Sequence, residues 1–112
     1  MPVYVDEARI SWRGKQWCHM VADTVDELHD FASRLGLRPE WFQRKTLYPH
    51  YDVTVSVRER ALKLGAVAAH KEVVVTRAKG LRVQLNEQAR QARLTERPRE
   101  EELCIHQALS SP

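Results

Sequence analysis

Apolar and polar positions along the chain fall into two rhythms. Val3-Tyr4-Val5 is short, β-branched and aromatic, and predicts a first strand ending at Asp6. Arg9–Trp12 and Gln16–Val21 flank Arg13-Gly14-Lys15, which predicts a hairpin with Gly at its tip. In the second arm Trp17, His19 and Val21 share one face, and Cys18 and Met20 share the other. Neither set is cleanly polar, so both faces of that strand are expected to be covered. From about Val25 to Leu35 the period changes to that of a helix: Leu28, Phe31, Ala32 and Leu35 form its stripe. Asp23 or Thr24 serves as its N-cap and Gly36 as its left-handed C-terminal cap.

Arg38-Pro39-Glu40 opens a turn carrying Trp41 and Phe42, and a loop follows through Pro49. His50–Val55 has strand character in Tyr51, Val53 and Val55. Ser56, with Glu59 three residues on, has the form of a capping box for a helix that stops at Gly65. Ala66–Ala69 is ambiguous, and Glu72–Thr76 reads as a last strand. Gly80 breaks the chain before a helix from Leu81 to Leu94, which Pro98 ends. This order predicts one small α/β domain over 1–78, a mixed sheet covered by helices, with a basic helical extension over 79–112. At 112 residues there is room for one core and little to spare, so a second copy of the chain could cover an apolar side.

Composition narrows the class. The chain is 43% hydrophobic and 29% charged, as in globular proteins. It has no apolar run of the ~20 residues that crosses a bilayer, and no secretory leader is visible. Cys18 and Cys104 make neither a disulfide framework nor a zinc ribbon, so a reducing cytoplasm is the expected home and no membrane partner is expected. Net charge is +3, but Arg77–Arg99 carries seven Lys/Arg against Glu87 and Glu96 before Glu100, Glu101 and Glu102 reverse the sign. That stretch is either a solvated helix face or a footprint for nucleic acid. Trp41, Phe42 and Gln43 beside Arg44 and Lys45 pose the same choice, as core plug or base-stacking turn.

The candidate chemistry gathers at predicted element ends, where α/β sheets collect functional groups. Asp6 ends the first strand, His19 and Asp23 straddle the step into the first helix, and His50 and Asp52 precede the second. His50 and Asp52 share a face of an extended segment, with Tyr51 turned the other way. Imidazole and carboxylate suit a divalent metal, so His19, His50 and Asp52 are the expected ligands and the expected catalytic groups. Asp6, His29, Tyr51 and Arg58 are expected around a bound ligand. On the first helix, however, a histidine in the place of His29 is more often a structural donor. Cys18 cannot use His19 as its base, because strand neighbours point to opposite faces. No phosphate-cradling glycine loop or dinucleotide fingerprint is present.

In order along the chain, "VYVD", "WCHMVADTVDELHDFASRLGL", "WFQ", "PHYDVT" and "RERALKLGAV" are similar to family 4031 of the domains of unknown function, short bacterial and phage proteins. The resemblance covers about Met1–Val67. It implies a small soluble domain that shares Asp6, His19, Asp23, His29, His50, Tyr51 and Asp52, and it brings no reaction with it. Two functions fit the residues. One is a polar His/Asp pocket for a phosphate-containing ligand, as a metal-dependent phosphoester hydrolase or a nucleotide or phosphate binder. The other is a non-enzymatic nucleic-acid- or protein-binding module using the basic C-terminal helix.

Overall fold

A computed structural model describes the backbone of residues 2–110 and the side chains of residues 2–95. The elements are β1 (Val3–Val5), β2 (Ile10–Trp12), β3 (Lys15–Ala22), α1 (Val25–Arg34), a 3-10 turn (Pro39–Trp41), β4 (Tyr51–Thr54), α2 (Val55–Lys63), β5 (Val67–Ala68) and α3 (Lys71–Ser110). The fold is α/β: a five-stranded mixed sheet with helices packed on it. β3 is the central strand. β1 and β2 pair with its two halves along one edge, β4 pairs with the other edge, and β5 adds in parallel to β1.

The β2–β3 turn needs only two residues, Arg13 (φ 49°) and Gly14 (φ 75°). Two consecutive left-handed residues make the type I′ geometry whose twist suits a hairpin. Between β1 and β2, Asp6 makes its own turn. Its Oδ1 accepts from the backbone N–H of Ala8 at 3.3 Å, and its N–H donates to the His19 carbonyl at 3.1 Å.

Directly opposed residues in antiparallel strands share a face. Val3, Val5, Cys18, Met20, Ala22, Tyr51 and Val53 therefore form one face, and all are buried. α1 covers it with Leu28, Phe31, Ala32 and Leu35. The helix begins where Thr24 Oγ1 accepts from Glu27 N–H and ends at Gly36, whose φ of 84° lets Leu37 N–H reach back to the Ala32 carbonyl. α2 lies beside α1, with Arg60 donating to the Leu35 carbonyl. Its N-cap is Thr54, whose Oγ1 accepts from Val57 N–H, so the expected Ser56 capping box does not form. The strand ends one residue earlier than expected, and Val55 already belongs to the helix.

The other face carries Tyr4, Trp17, His19, Val21, Asp52 and Thr54. α3 lies over part of it: the Arg77 guanidinium stacks 5.3 Å above the Tyr4 ring, and Val21, Val74, Ala78 and Leu81 are buried. This overturns the strand expected at Glu72–Thr76 and the break at Gly80. A run of Val73, Val74, Val75 and Thr76 favours a strand locally. The buried spacing Val74, Ala78, Leu81 is helical, however, and tertiary burial outweighs a propensity difference of a few tenths of a kcal/mol per residue. The last strand is instead Val67–Ala68, and the helix continues past Pro98 to Ser110.

The boundary expected between residues 78 and 79 thus falls inside one helix. Gln84 ties that helix down further, accepting from Val25 N–H at 2.9 Å and donating to the Asp23 carbonyl at 2.7 Å. Among the described residues no helix is long and apolar enough to cross a membrane.

Candidate functional site: a histidine and aspartate cluster at a cleft

Register brings the expected residues together. His19 on β3 is directly opposite Asp52 on β4, and His50 enters β4 through a bridge to Gln43. All three lie on the face that α1 does not cover. One ligand atom from each of His19, His50 and Asp52 lies within 4.8 Å of the other two. The two imidazoles meet edge to face, with ring centres 4.9 Å apart.

Each histidine is held by its Nδ1. His19 Nδ1 faces Asp6 Oδ2 at 2.7 Å, and the same carboxylate accepts from His19 N–H through Oδ1 at 2.8 Å. A carboxylate acceptor places the proton on Nδ1 and leaves Nε2 as the free lone pair. His50 Nδ1 donates to the Tyr48 carbonyl at 2.6 Å, which directs its Nε2 at Asp52 Oδ1, 3.0 Å away. A neutral His50 with Nδ1 protonated would set an Nε2 lone pair against a carboxylate oxygen. A cation, either proton or metal, therefore belongs between them.

The electrostatics follow this geometry. Burial would raise the Asp6 carboxyl, but the hydrogen bonds from the His19 ring and backbone prevail and hold it below the usual carboxylate range. Burial would lower His50, but the Asp52 carboxylate and the Tyr48 carbonyl prevail and raise it above an ordinary histidine. Without a metal, Asp52 and the Tyr48 carbonyl thus favour the protonated form of His50.

His19 and His50 open on a cleft of about 1280 Å³ between the sheet end and the first turns of α3, and Asp52 stands beside them, partly exposed. Asp6, Glu7, Thr46 and Tyr48 also line it, as do His70 and Lys71 where α3 begins. The rest of the wall is largely apolar: Ile10, Ala69, Val74, Val75 and Ala78.

The chain belongs to the DUF4031 family.

The family model, described as a protein of unknown function, matches residues 3–81. The DUF4031 match therefore runs beyond Val67 to Leu81 and takes in β5, the start of α3 and every residue that lines the cleft. No curated protein and no solved structure matches the chain.

Within this DUF4031 domain three expected ligand-binding residues lie apart from the cleft. His29 and Tyr51 are on the α1 side of the sheet. They bond to each other, Nδ1 to OH at 2.8 Å, and pack against Phe42. Burial, with the Arg44 charge, pushes His29 below an ordinary histidine, and burial raises the Tyr51 hydroxyl. Arg58 is buried beneath the Asp6 loop. Its Nε donates to the Asp6 carbonyl at 2.7 Å, and its terminal nitrogens pair with Glu7 and Glu59. It acts on the site by holding Asp6. Asp23 pairs with Arg77 at 3.1 Å, while Thr24 does the capping.

Sequence reasoning missed His70, Lys71, Thr46 and the Tyr48 carbonyl as part of the site. A backbone carbonyl leaves no trace in residue type. His70 and Lys71 stood between an ambiguous segment and a supposed strand, with no partner in sequence to mark them.

Proposed function

We propose that the domain is a divalent-metal protein acting on a phosphate-containing ligand, in the first instance a metal-dependent phosphoester hydrolase. The observation that carries this reading is the His50–Asp52 contact. Two acceptors are fixed 3.0 Å apart by the Tyr48 carbonyl behind one of them, and a ring nitrogen of His19 belongs to the same group of ligand atoms, all within 4.8 Å of one another. Such a set suits Zn, Mn or Fe, with His19, His50 and Asp52 as ligands. Asp6 then occupies the position behind a ligating histidine that commonly fixes its tautomer and orientation.

The metal would supply Lewis acidity toward a phosphoryl oxygen and a bound water acidic enough to act as nucleophile near neutral pH. Water would add to phosphorus as the P–O bond to the alcohol breaks, releasing the alcohol and inorganic phosphate. Lys71 and His70, in the same cleft, offer positive charge and donors to the remaining phosphoryl oxygens.

The test is metal analysis of the purified chain, then titration of chelator-treated protein with Zn, Mn, Fe(II) and Mg, followed by hydrolysis of p-nitrophenyl phosphate. One equivalent of metal and metal-dependent hydrolysis are expected, both lost in His19→Gln and Asp52→Asn variants that still fold. Absence of stoichiometric binding for every one of these metals would refute the reading.

The nucleic-acid alternative draws less support. Arg77 is bound to Asp23, Arg82 donates to the carbonyls of Arg44 and Thr46, and Arg90 pairs with Glu87. Arg97, Arg99 and the acidic run at 100–102 lie outside the described side chains, as does Cys104.

A further inference from the structure

The walls of the cleft say more about the ligand than the cluster does. Across the sheet the order is β4-β3-β1-β5, so the lining residues form a row: His50 at β4, His19 on β3, Asp6 after β1, Ala69 after β5. Strands are spaced at ~4.8 Å, which puts β5 roughly 10 Å from His19. Polar groups occupy the β4, β3 and β1 positions of this row, with Glu7 beside Asp6, and His70 and Lys71 stand at the start of α3. Beyond them α3 presents Lys71, Val74, Val75 and Ala78, a spacing of three, four and seven that keeps them on one helix face. Ile10 is paired with Trp17 and so shares the face of His19, where it is 52% exposed. Tyr48, beside His50, is 44% exposed.

A bare phosphate would occupy only the histidine end. A nucleotide would lay ribose hydroxyls along Val74, Val75 and Ala78, whose side chains return no hydrogen bond, and would lose hydration without replacement. An aliphatic body has no such penalty and gains from every methylene removed from water. Resting on the metal reading above, we infer that the site takes a phosphate monoester of an apolar alcohol. Its phosphate sits at His19, His50 and Asp52, and its apolar body lies between Ile10 and the Val74–Val75–Ala78 face of α3.

The experiment uses the full chain, with and without the metal that it binds, and calorimetric titration with inorganic phosphate, ethyl, butyl and hexyl phosphate, and adenosine monophosphate. Affinity is expected to rise about threefold to fourfold for each added methylene until the wall is covered. Hexyl phosphate should then bind more tightly than adenosine monophosphate. Val75→Asn and Ile10→Ser, two residues that are not fully buried, should flatten this rise while leaving inorganic phosphate unchanged. Equal affinity across the alkyl series, or tighter binding of the nucleotide, in metal-loaded protein overturns the inference and spares the metal reading. If the protein binds none of the metals tested, a chain-length dependence still supports the apolar wall and only the metal reading falls.

Discussion

At the scale of single residues, two histidines on opposite faces of the sheet respond to acid in opposite directions. His50 is raised in the folded protein by Asp52 and Tyr48, so in metal-free protein its contribution is complete below the unfolded value of ~6.5 and fades as pH rises through the folded value. His29 is lowered by burial, so its neutral form is favoured. Its contribution is complete above ~6.5 and is lost as pH falls from there toward the folded value. Urea midpoints measured between pH 5 and 8 in chelator should therefore show His50→Gln most damaging at the acid end. His29→Gln should be most damaging at the alkaline end. The same slope in both variants would contradict these assignments. Asp6 supplies a second residue-scale expectation. Asp6→Asn keeps the shape but removes the charge behind His19, and competition against a chromophoric chelator should show metal affinity about 10–100-fold weaker.

Among the elements, α2 and α3 are where local pattern and structure part company. The cap of α2 is Thr54 and not Ser56, because the helix begins immediately after β4 and the last strand residue is already placed to accept from Val57. Thr54→Ala should cost about 1 kcal/mol in chemical denaturation, and Ser56→Ala only a few tenths. In α3, Gly80 sits within a helix that has open space where a Cβ would go. Gly80→Ala should thus stabilise by roughly 0.5–1 kcal/mol, whereas a true break at this position would make it destabilising. The hairpin and α1 were legible in advance because each carries its own punctuation: Arg13-Gly14 with positive φ at one, Thr24 and Gly36 bracketing a four-residue stripe at the other. The Glu72–Thr76 segment was not, since β-branched residues favour a strand until a sheet face offers them burial at helical spacing.

For the whole molecule, the core is two-sided. α1 closes one face of the sheet around Leu28, and α3 closes the other around Leu81, both fully buried. Leu81→Ala should therefore cost about 2–5 kcal/mol, as Leu28→Ala should, and both should shift one cooperative transition. A separate early transition for α3 would make it an extension of the domain and not part of its core. The residue types alone determined that the chain builds a helix-covered α/β sheet, that His50 and Asp52 share a face while Tyr51 turns away, and that His19 and Cys18 cannot act together. These follow from periodicity, which is local. Convergence is different, because it depends on register between segments that are distant along the chain. Only the pairing of His19 with Asp52, the Asp6 turn locked under Arg58, and the placement of α3 over the far face decided that four of the polar residues meet at a cleft. The packing of α1 on the opposite face set His29 against Tyr51, which the parity of β4 had already turned to that side, and the two bond to each other.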